Sequence, residues 1–537
     1  MKTTRTFRRA RALLSALFMA LAPAMRPAQA LELDNATLAV QHQFLYTNNG
    51  ITGASPAGSF LTPGSHATDD LGILYNTTSG DTAWEGALDG RYSDDKRIEA
   101  RRLNLKRLYL KGENARQSAA VGDYFASFSQ YSLGTALKGG RYKLRLSDQL
   151  DLTALAGLAS PDWDDLWTHK RSESVDRMFY GLRAARSFEN DAFLGASLVL
   201  AEDSRARFNT AAVAQDQRLA AVDWSLPTFR RLHLYGESSL ARTVSDNPGS
   251  ADTSRQGWAH LVKGDYSYRR FKTQNEFERV SSGFATNGGA ASPDLLRVRT
   301  QNKLTFAGVW RWVVNYTWFH NNLDRTAGVS TYTTSMPETG LRYEGPDRRP
   351  NLSAELKVRQ REVTASLTGI RSRTRSLLAN YADRFGPVNL NLDYEFQNED
   401  RSDGTVSGKH HIFGAGASSM HQLSAGWKLM PSLRYNLQRD RDSLLNNTDE
   451  AGLIMANVAC ESPWGLDAGA GYSRNLVLTG VSPGSDRRSA SASLGYNIRM
   501  KPEHRITLRY RQNDNRFSAA GQDFKETIWE AGLVNRF

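Results

Sequence analysis

The feature that most constrains this chain is an alternation of apolar and polar residues that recurs from one end to the other. In Val388–Phe396, VNLNLDYEF, apolar residues occupy every second position and polar or charged residues lie between them. A period of two places the two sets on opposite faces of a β-strand. The same alternation is found at 139–146, 310–319, 352–359, 432–440 and 505–511. The sequence therefore predicts many two-faced strands.

Composition also favours strands and turns over helices. The 537 residues include 43 Gly but only 16 Pro, with 22 Phe, 20 Tyr and 11 Trp. The mean hydropathy is -0.52, and no run of about 18 apolar residues follows the N-terminal segment, so no membrane-spanning helix is expected. Cys460 is the only cysteine, which excludes an internal disulfide and c-type haem attachment. We interpret it as an inert residue at a strand end.

Residues 1–30 have the three parts of a cleaved signal peptide. A basic start precedes the short apolar run at 13–22, and Ala28-Gln29-Ala30 fits the small-x-small cleavage pattern. The mature chain is expected to begin near Leu31. The peptide carries six Lys or Arg and no acid, so its removal lowers the formal charge from +12 to +6. The remaining basic residues are dispersed, and this excludes a nucleic-acid-binding face.

The connections between strands alternate between short and long. Short ones include 226–231, 306–310 and 385–388, whereas long polar ones include 202–218, 244–257, 438–451 and 474–488. This parity is typical of membrane barrels, which have short turns on one side and longer loops on the other. Counting back from the C-terminus gives about 26 strands, within a range of 22–26, starting near Asn35.

Three regions leave the strand count or register open. Residues 359–374 fit one loop or an added strand pair, and residues 409–429 fit one long strand or two. In 101–112 the apolar phase slips between Leu105 and Leu108, which predicts a β-bulge. Residues 47–70 form the longest early loop and could fold inward.

The chain ends in TIWEAGLVNRF, with Trp529, Ala531 and Leu533 in phase with the terminal Phe537. This strand resembles the C-terminal signature of bacterial outer-membrane barrels, except at Asn535, where an aromatic or aliphatic residue is usual. The resemblance implies a porin-like barrel recognised by the outer-membrane assembly machinery through Phe537. In strand style and number the chain is also similar to the barrels that sheathe multihaem cytochromes in porin–cytochrome conduits.

The predicted fold is all-β: a single large antiparallel transmembrane β-barrel over 31–537, without a separate plug domain. Apolar residues would face lipid and polar residues a wet lumen, because barrel closure pairs every backbone group. The alternative fold is a periplasmic or secreted β-sandwich or β-helix array.

Motifs for catalysis and metal binding fail on their context. Gly480–Gly484 matches G-x-S-x-G, but Pro483 lacks the N–H that an oxyanion hole needs after the nucleophile, and the segment lies in a predicted loop. His410-His411 stands at a predicted loop edge without other ligands. Asp400 and Asp403 lack the later Glu of a calcium loop. We predict no enzyme activity, no cofactor and no specific metal site.

The polar phase of the strands predicts the residues that line the pore. Rings of such charges set ion selectivity in channels, although each side chain could instead only solvate the wall. The candidates are Arg141, Lys143, Arg145, Arg297, Arg299, Lys303, Glu355, Lys357, Arg359, Asp393, Glu395, Arg434, Arg505, Arg509 and Arg511.

The predicted function is an outer-membrane channel of a Gram-negative bacterium that passes ions and polar solutes through a wide, charged, water-filled lumen. The alternatives are a structural sheath that houses a partner such as a multihaem cytochrome, and an export pore for a polymer. Expected partners are membrane lipid and lipopolysaccharide, the assembly machinery, and a lumen-filling or periplasmic protein.

The connection parity also predicts topology, with both termini in the periplasm. Epitope tags inserted at Asn247 and at Asn447 should bind antibody on intact cells, whereas a tag at Pro387 should be hidden. Labelling of the Pro387 tag alone would reverse the assigned topology.

Overall fold

A computed structural model describes residues 36–537, apart from 100–101, 161–162, 164–174, 206–211, 327, 347–351, 406, 443–446, 479–483, 499–502 and 520. Among these residues no helix is long and apolar enough to cross a bilayer. The predicted signal peptide and the G-x-S-x-G segment lie outside the described residues, except for Gly484.

The described chain forms 26 long strands. They are β1 Thr37–Gly53, β2 Gly64–Ser79, β3 Thr82–Ser93, β4 Leu103–Glu113, β5 Gln117–Ser127, β6 Gly134–Ser147, β7 Leu150–Ala159, β8 Val175–Ser187, β9 Phe193–Arg205, β10 Ala214–Ser225, β11 Leu232–Asp246, β12 Thr253–Tyr268, β13 Phe271–Val280, β14 Leu295–Phe306, β15 Trp310–Asn321, β16 Tyr332–Glu344, β17 Ser353–Ala365, β18 Arg371–Phe385, β19 Val388–Arg401, β20 Ser407–Ser419, β21 Lys428–Asp442, β22 Asn447–Glu461, β23 Leu466–Leu478, β24 Ser485–Ile498, β25 Glu503–Phe517 and β26 Phe524–Arg536. Short 3-10 turns at Pro56–Gly58 and Ser424–Gly426 and a two-residue extended piece at His421–Gln422 complete the regular structure.

Each strand pairs antiparallel with its neighbours in the chain, and β1 also pairs with β26 from Gln41–Arg536 to Gly53–Phe524. The sheet is thus a closed barrel, which confirms the predicted fold class, the porin-like architecture and a strand number at the upper end of the range. Strands spaced about 4.8 Å apart and tilted by about 40° would enclose a circular barrel about 50 Å across.

The three ambiguous regions are resolved. Residues 359–374 extend β17 to Ala365 and begin β18 at Arg371, with a short turn between them, so they form neither one long loop nor an added strand pair. Residues 409–429 contain the end of β20, the short turn after it and the start of β21. The register shifts where Asp89 opposes Arg107 and Gly90 opposes Leu105, which leaves Lys106 as the extra residue and confirms the bulge.

Contacts that cross the barrel identify its inner face. The backbone N–H of Ala290, between β13 and β14, donates to the carbonyl of Gln130, between β5 and β6, at 2.8 Å. Connections so far apart around the wall can meet only inside it. The face that they touch carries Glu237 and Glu278, and the opposite face carries exposed apolar side chains such as Leu198, Leu240, Val262 and Phe277.

The even strand number places both chain ends at one rim, here called the terminal rim; the opposite one is the far rim. Aromatic rings gather at the outer face near the terminal rim, where Trp310 lies 4.8 Å from Tyr343 and Trp427 lies 5.5 Å from Trp464, measured between ring centroids. Such rings favour the membrane–water interface, since they combine an apolar surface with a polar group.

The two faces of β15 give a test of strand phase. Val314 lies on the outer face with Trp312 and Tyr316, whereas Asn315 points inward and donates to Glu338 at 2.9 Å. Val314→Arg should lower the free energy of unfolding by roughly 2–4 kcal/mol if the residue lies near the membrane midplane. Asn315→Arg should be tolerated, because an inward guanidinium can still pair with Glu338. Equal losses in urea titrations of the refolded barrel would refute the assigned phase.

Candidate functional site: the barrel lumen

All fifteen pore-lining candidates lie on the inner face, opposite the exposed apolar side chains. They are spread around the wall from β6 to β25 and do not form one compact cluster. Their role in selecting solutes stays a prediction.

Many of the inner charges are neutralised across adjacent strands. Glu338 accepts from the Arg359 guanidinium at 2.7 Å and lies 3.8 Å from Lys357. Arg505 pairs with Asp467 at 3.2 Å. Glu338 lies on β16, next to β17, whereas Asp467 on β23 reaches Arg505 on β25 across β24. These contacts form because directly opposed residues of antiparallel strands share one face. Pairing of this kind leaves the wall wet while it limits the net field in the lumen.

Several inner basic side chains have no carboxylate within 4.0 Å among the residues that the structure describes. They are Arg299, Lys303, Arg434, Arg509 and Arg511. Asp393 and Glu395 are inner acids that likewise lack a described basic partner within this distance. Among the fifteen candidates, basic residues therefore outnumber acids in this unpaired set.

One side of the lumen is occupied by two far-rim connections, residues 128–133 and 281–294, here called the inner cluster. Tyr131 packs edge-on against Phe284, with ring centroids 5.9 Å apart. The carbonyl of Gly288 accepts from the backbone N–H of Gly134 at 2.6 Å. The two segments therefore hold each other as well as the wall.

Two buried carboxylates on the wall hold the first segment. Glu237, on β11, accepts from the Ser129 hydroxyl at 2.8 Å and from the backbone N–H of Tyr131 at 3.1 Å. Glu278, on β13, accepts from the Tyr131 hydroxyl at 2.7 Å and pairs with Arg297. Burial raises the pKa of the Tyr131 phenol, and the hydrogen bond to Glu278 raises it further, so the hydroxyl stays protonated and donates.

Gln217, on β10, holds the second segment. Its side-chain oxygen accepts from the backbone N–H of Asn287 at 2.8 Å, and its nitrogen donates to the carbonyl of Ala285 at 2.8 Å and to Thr243 at 2.9 Å. Only 2% of this residue is exposed. A buried amide with its hydrogen bonds made fixes a backbone more firmly than apolar packing alone.

Small inner residues make room for the inner cluster. Phe179, Leu133 and Phe284 are buried against a wall of Ala126, Ala201, Ala221, Ala241 and Ala259. This side of the lumen is packed and largely apolar, with Glu237, Glu278 and Gln217 as buried polar groups, which differs from the expectation of a polar inner face throughout. The available signal was a pair of connections whose only charged residue is the terminal Asp294 and which contain Tyr131, Leu133 and Phe284.

A third connection reaches inward next to the barrel closure. Most of residues 47–70 belong to β1 and β2, and only 54–63 form a loop. In it the Ser59 hydroxyl donates to Glu526 at 2.6 Å, on the inner face of β26. Arg97 donates to the carbonyl of Leu61 at 2.7 Å, so a neighbouring connection supports this loop.

The candidate metal ligands do not assemble. His410 and His411 lie within β20 and not at a loop edge; they point to opposite faces, His410 toward Asp440 and His411 toward Tyr394. The Asp403 carboxylate accepts from the backbone and hydroxyl of Thr405, and these bonds lower its pKa. The described residues contain no group of three or more His, Cys, Asp or Glu that could hold a metal ion.

No protein-family profile and no curated protein sequence matches the chain. Among solved structures it is similar to a BenF-like porin from Pseudomonas fluorescens Pf-5, at 13% identity and a TM-score of 0.33, over 65% of this chain and 98% of that one. It is similar at 13% identity and 0.33 to Pseudomonas aeruginosa OccK2 (OpdF) in complex with glucuronate, over 64% and 94%. The P pilus usher (PapC) translocation pore matches at 8% identity and 0.34, over 93% and 99%.

The hold of Gln217 on the second segment can be measured. Gln217→Ala should lower the free energy of local opening of residues 281–294 by about 1–3 kcal/mol, since buried backbone groups lose their partners. Hydrogen–deuterium exchange of that segment should accelerate while the strands stay protected. Gln438→Ala, at an exposed inner position of β21, is the matched control. Unchanged exchange at 281–294 would show that apolar packing alone holds it.

Proposed function

We propose that the protein is an outer-membrane channel for ions and polar solutes, and that the inner cluster narrows its lumen from one side. The observation that carries this proposal is the contrast between the two inner surfaces. The surface next to β5–β14 is filled by residues 128–133 and 281–294, whereas the surface on β15–β26 is lined by ion pairs and by unpaired arginines such as Arg434, Arg509 and Arg511.

Dimensions support an open path beside the inner cluster. Two segments of this length cannot fill a cross-section about 50 Å wide. A lining of paired charges is hydrated, and this suits small ions and polar solutes better than apolar ones. The excess of unpaired basic groups favours anions weakly, because charges across a wide wet pore are screened within about 10 Å at 0.1 M salt.

Single-channel recording in planar bilayers tests the proposal. The purified protein should give stepwise conductance with a weak anion preference that disappears at high salt. Removal of residues 284–289 should raise the unit conductance, because it takes away the part of the inner cluster that rests on Gln217. Removal of 248–251 from an exposed far-rim loop should leave it unchanged. A protein that inserts and gives no conductance would refute the channel.

A sheath for a partner protein is the second candidate, and the same width favours it. Apart from the loop at 54–63, which contacts β26, the described wall of β15–β26 presents a broad polar surface that no described connection covers. A soluble protein with a polar, mostly acidic surface would fit there. A partner recovered at one copy per barrel from native membranes, and blocking conductance when bound, would displace the channel proposal.

A further inference from the structure

The outer face near the far rim carries three basic side chains in one row. Arg375 on β18, Lys409 on β20 and Arg441 on β21 stand level with Asn398 of β19 between the first two. All three basic residues are exposed. They form what we name the outer basic row, on the face that also carries Phe413 and Leu437.

Lys409 and Arg441 are directly opposed. Like charges in this position repel each other and destabilise the strand pair. Among the described residues, no carboxylate lies within 4.0 Å of Arg375, Lys409 or Arg441. Asp400 on the same face of β19 accepts from Asn398 at 2.8 Å but makes no ion pair with the row, so no described carboxylate bridges Lys409 and Arg441.

A second opposed pair on the same outer face shows how such repulsion is removed. Arg474 and Arg488 oppose each other on β23 and β24, and Asp486 lies between them. Arg474 Nε lies 2.9 Å from Oδ1 of Asp486, and Arg488 Nη2 lies 2.6 Å from its Oδ2. The pair at Lys409 and Arg441 has the same geometry without the internal acid, and this points to an anion supplied from outside.

The height of the row along the strand indicates which anion this is. Phe413 opposes Leu437 in the apolar band, and Lys409 lies four residues beyond Phe413 toward the far rim, about 13 Å along the strand. At a strand tilt of about 40° this is about 10 Å along the membrane normal, close to the edge of an apolar band about 25 Å tall, where acyl chains give way to headgroups. The corresponding outer positions of β9–β11 carry Glu202, Asp216 and Asp246 besides two arginines, so the basic character of the row is not shared by that part of the barrel.

We propose that Arg375, Lys409 and Arg441 bind a phosphate group of lipopolysaccharide, the phosphorylated glycolipid of the outer leaflet. A phosphate offers several acceptor oxygens and a charge that both Lys and Arg complement. Placed between Lys409 and Arg441, it removes their repulsion as Asp486 does for the other pair. This inference rests on the proposed outer-membrane location with the termini in the periplasm.

The test uses refolded, lipid-free protein titrated with purified lipopolysaccharide, with the bound glycolipid counted by native mass spectrometry. The double variant Lys409→Gln and Arg441→Gln should bind at least about tenfold more weakly, because two charge-assisted contacts are lost. The control is Lys272→Gln with Lys303→Gln, an opposed lysine pair on the inner face. It removes the same charge and should bind like the unaltered protein. The proposal would be overturned if the outer double variant bound lipopolysaccharide as tightly as the unaltered protein, or if the inner control variant lost as much affinity as the outer one.

Two further measurements identify the source of the phosphate and separate this site from the channel. Dephosphorylated glycolipid should bind the unaltered protein weakly, and inorganic phosphate should not compete with lipopolysaccharide. Tight binding of the first, or competition by the second, would overturn the glycolipid assignment. The outer variant should retain the unit conductance of the unaltered protein in phospholipid bilayers. Glycolipid binding without conductance would refute the channel and leave this site standing.

Discussion

The rest of the structure depends on the requirement that backbone N–H and C=O groups in hydrocarbon find partners within the protein. The ladder between β1 and β26 meets it, since it joins the two ends of the sheet over thirteen residue pairs. Without this ladder both end strands would expose unpaired edges to lipid. Once barrel closure gives every backbone N–H and C=O group a partner, the side chains on the two faces can differ. Apolar residues then face outward and polar residues inward, which gives the period-two alternation.

Closure also creates an interior that an open sheet lacks, and the chain uses its two sides differently. Next to β5–β14, Ala residues at inner positions let residues 128–133 and 281–294 approach the wall, and Glu237 and Gln217 satisfy their backbone groups. Elsewhere larger charged residues such as Arg359 and Glu338 stand in that space and stay hydrated. The inward-facing positions of the strands thus form either a packed surface or a hydrated one. Which of the two forms depends on side-chain size and on whether a connection covers that part of the wall.

Much of this architecture could be predicted from the sequence, because its signals are local. The alternation fixed the faces of Val388–Phe396, the slip between Leu105 and Leu108 predicted the bulge at Lys106, and connection parity predicted the strand number. The inner cluster could not be predicted in the same way. It depends on pairs such as Ser129 with Glu237, whose positions are related only after the barrel closes. His410 and His411 were misplaced because nearby Gly residues concealed the start of β20 at Ser407.

The place where strand pairing is weakest shows how the inner cluster is reconciled with closure. β4 and β5 pair only from Tyr109–Gly122 to Glu113–Ser118, so the far ends of the two strands separate. Gly122 has a φ of 106°, and a Cβ there would lie 2.0 Å from the carbonyl oxygen of Leu108. This backbone shape, disfavoured for other residues, turns the tip of the β5–β6 hairpin away from β4.

The gap that this turn leaves in the wall is closed by side chains. Asp123 accepts from the backbone N–H of Leu108 at 2.7 Å, which takes the place of a ladder bond. Its carboxylate also binds Lys138 and the indole N–H of Trp163, and the charge is therefore paired within the gap. Part of the hydrogen-bond ladder between β4 and β5 is thus absent, and residues 128–133 enter the lumen beside it. The Asp123 carboxylate accepts from the Leu108 N–H, which has no partner on β5. A hairpin tip cannot leave the wall without exposing the edge of the neighbouring strand. The inward fold of the β5–β6 connection and the interrupted β4–β5 ladder therefore occur together.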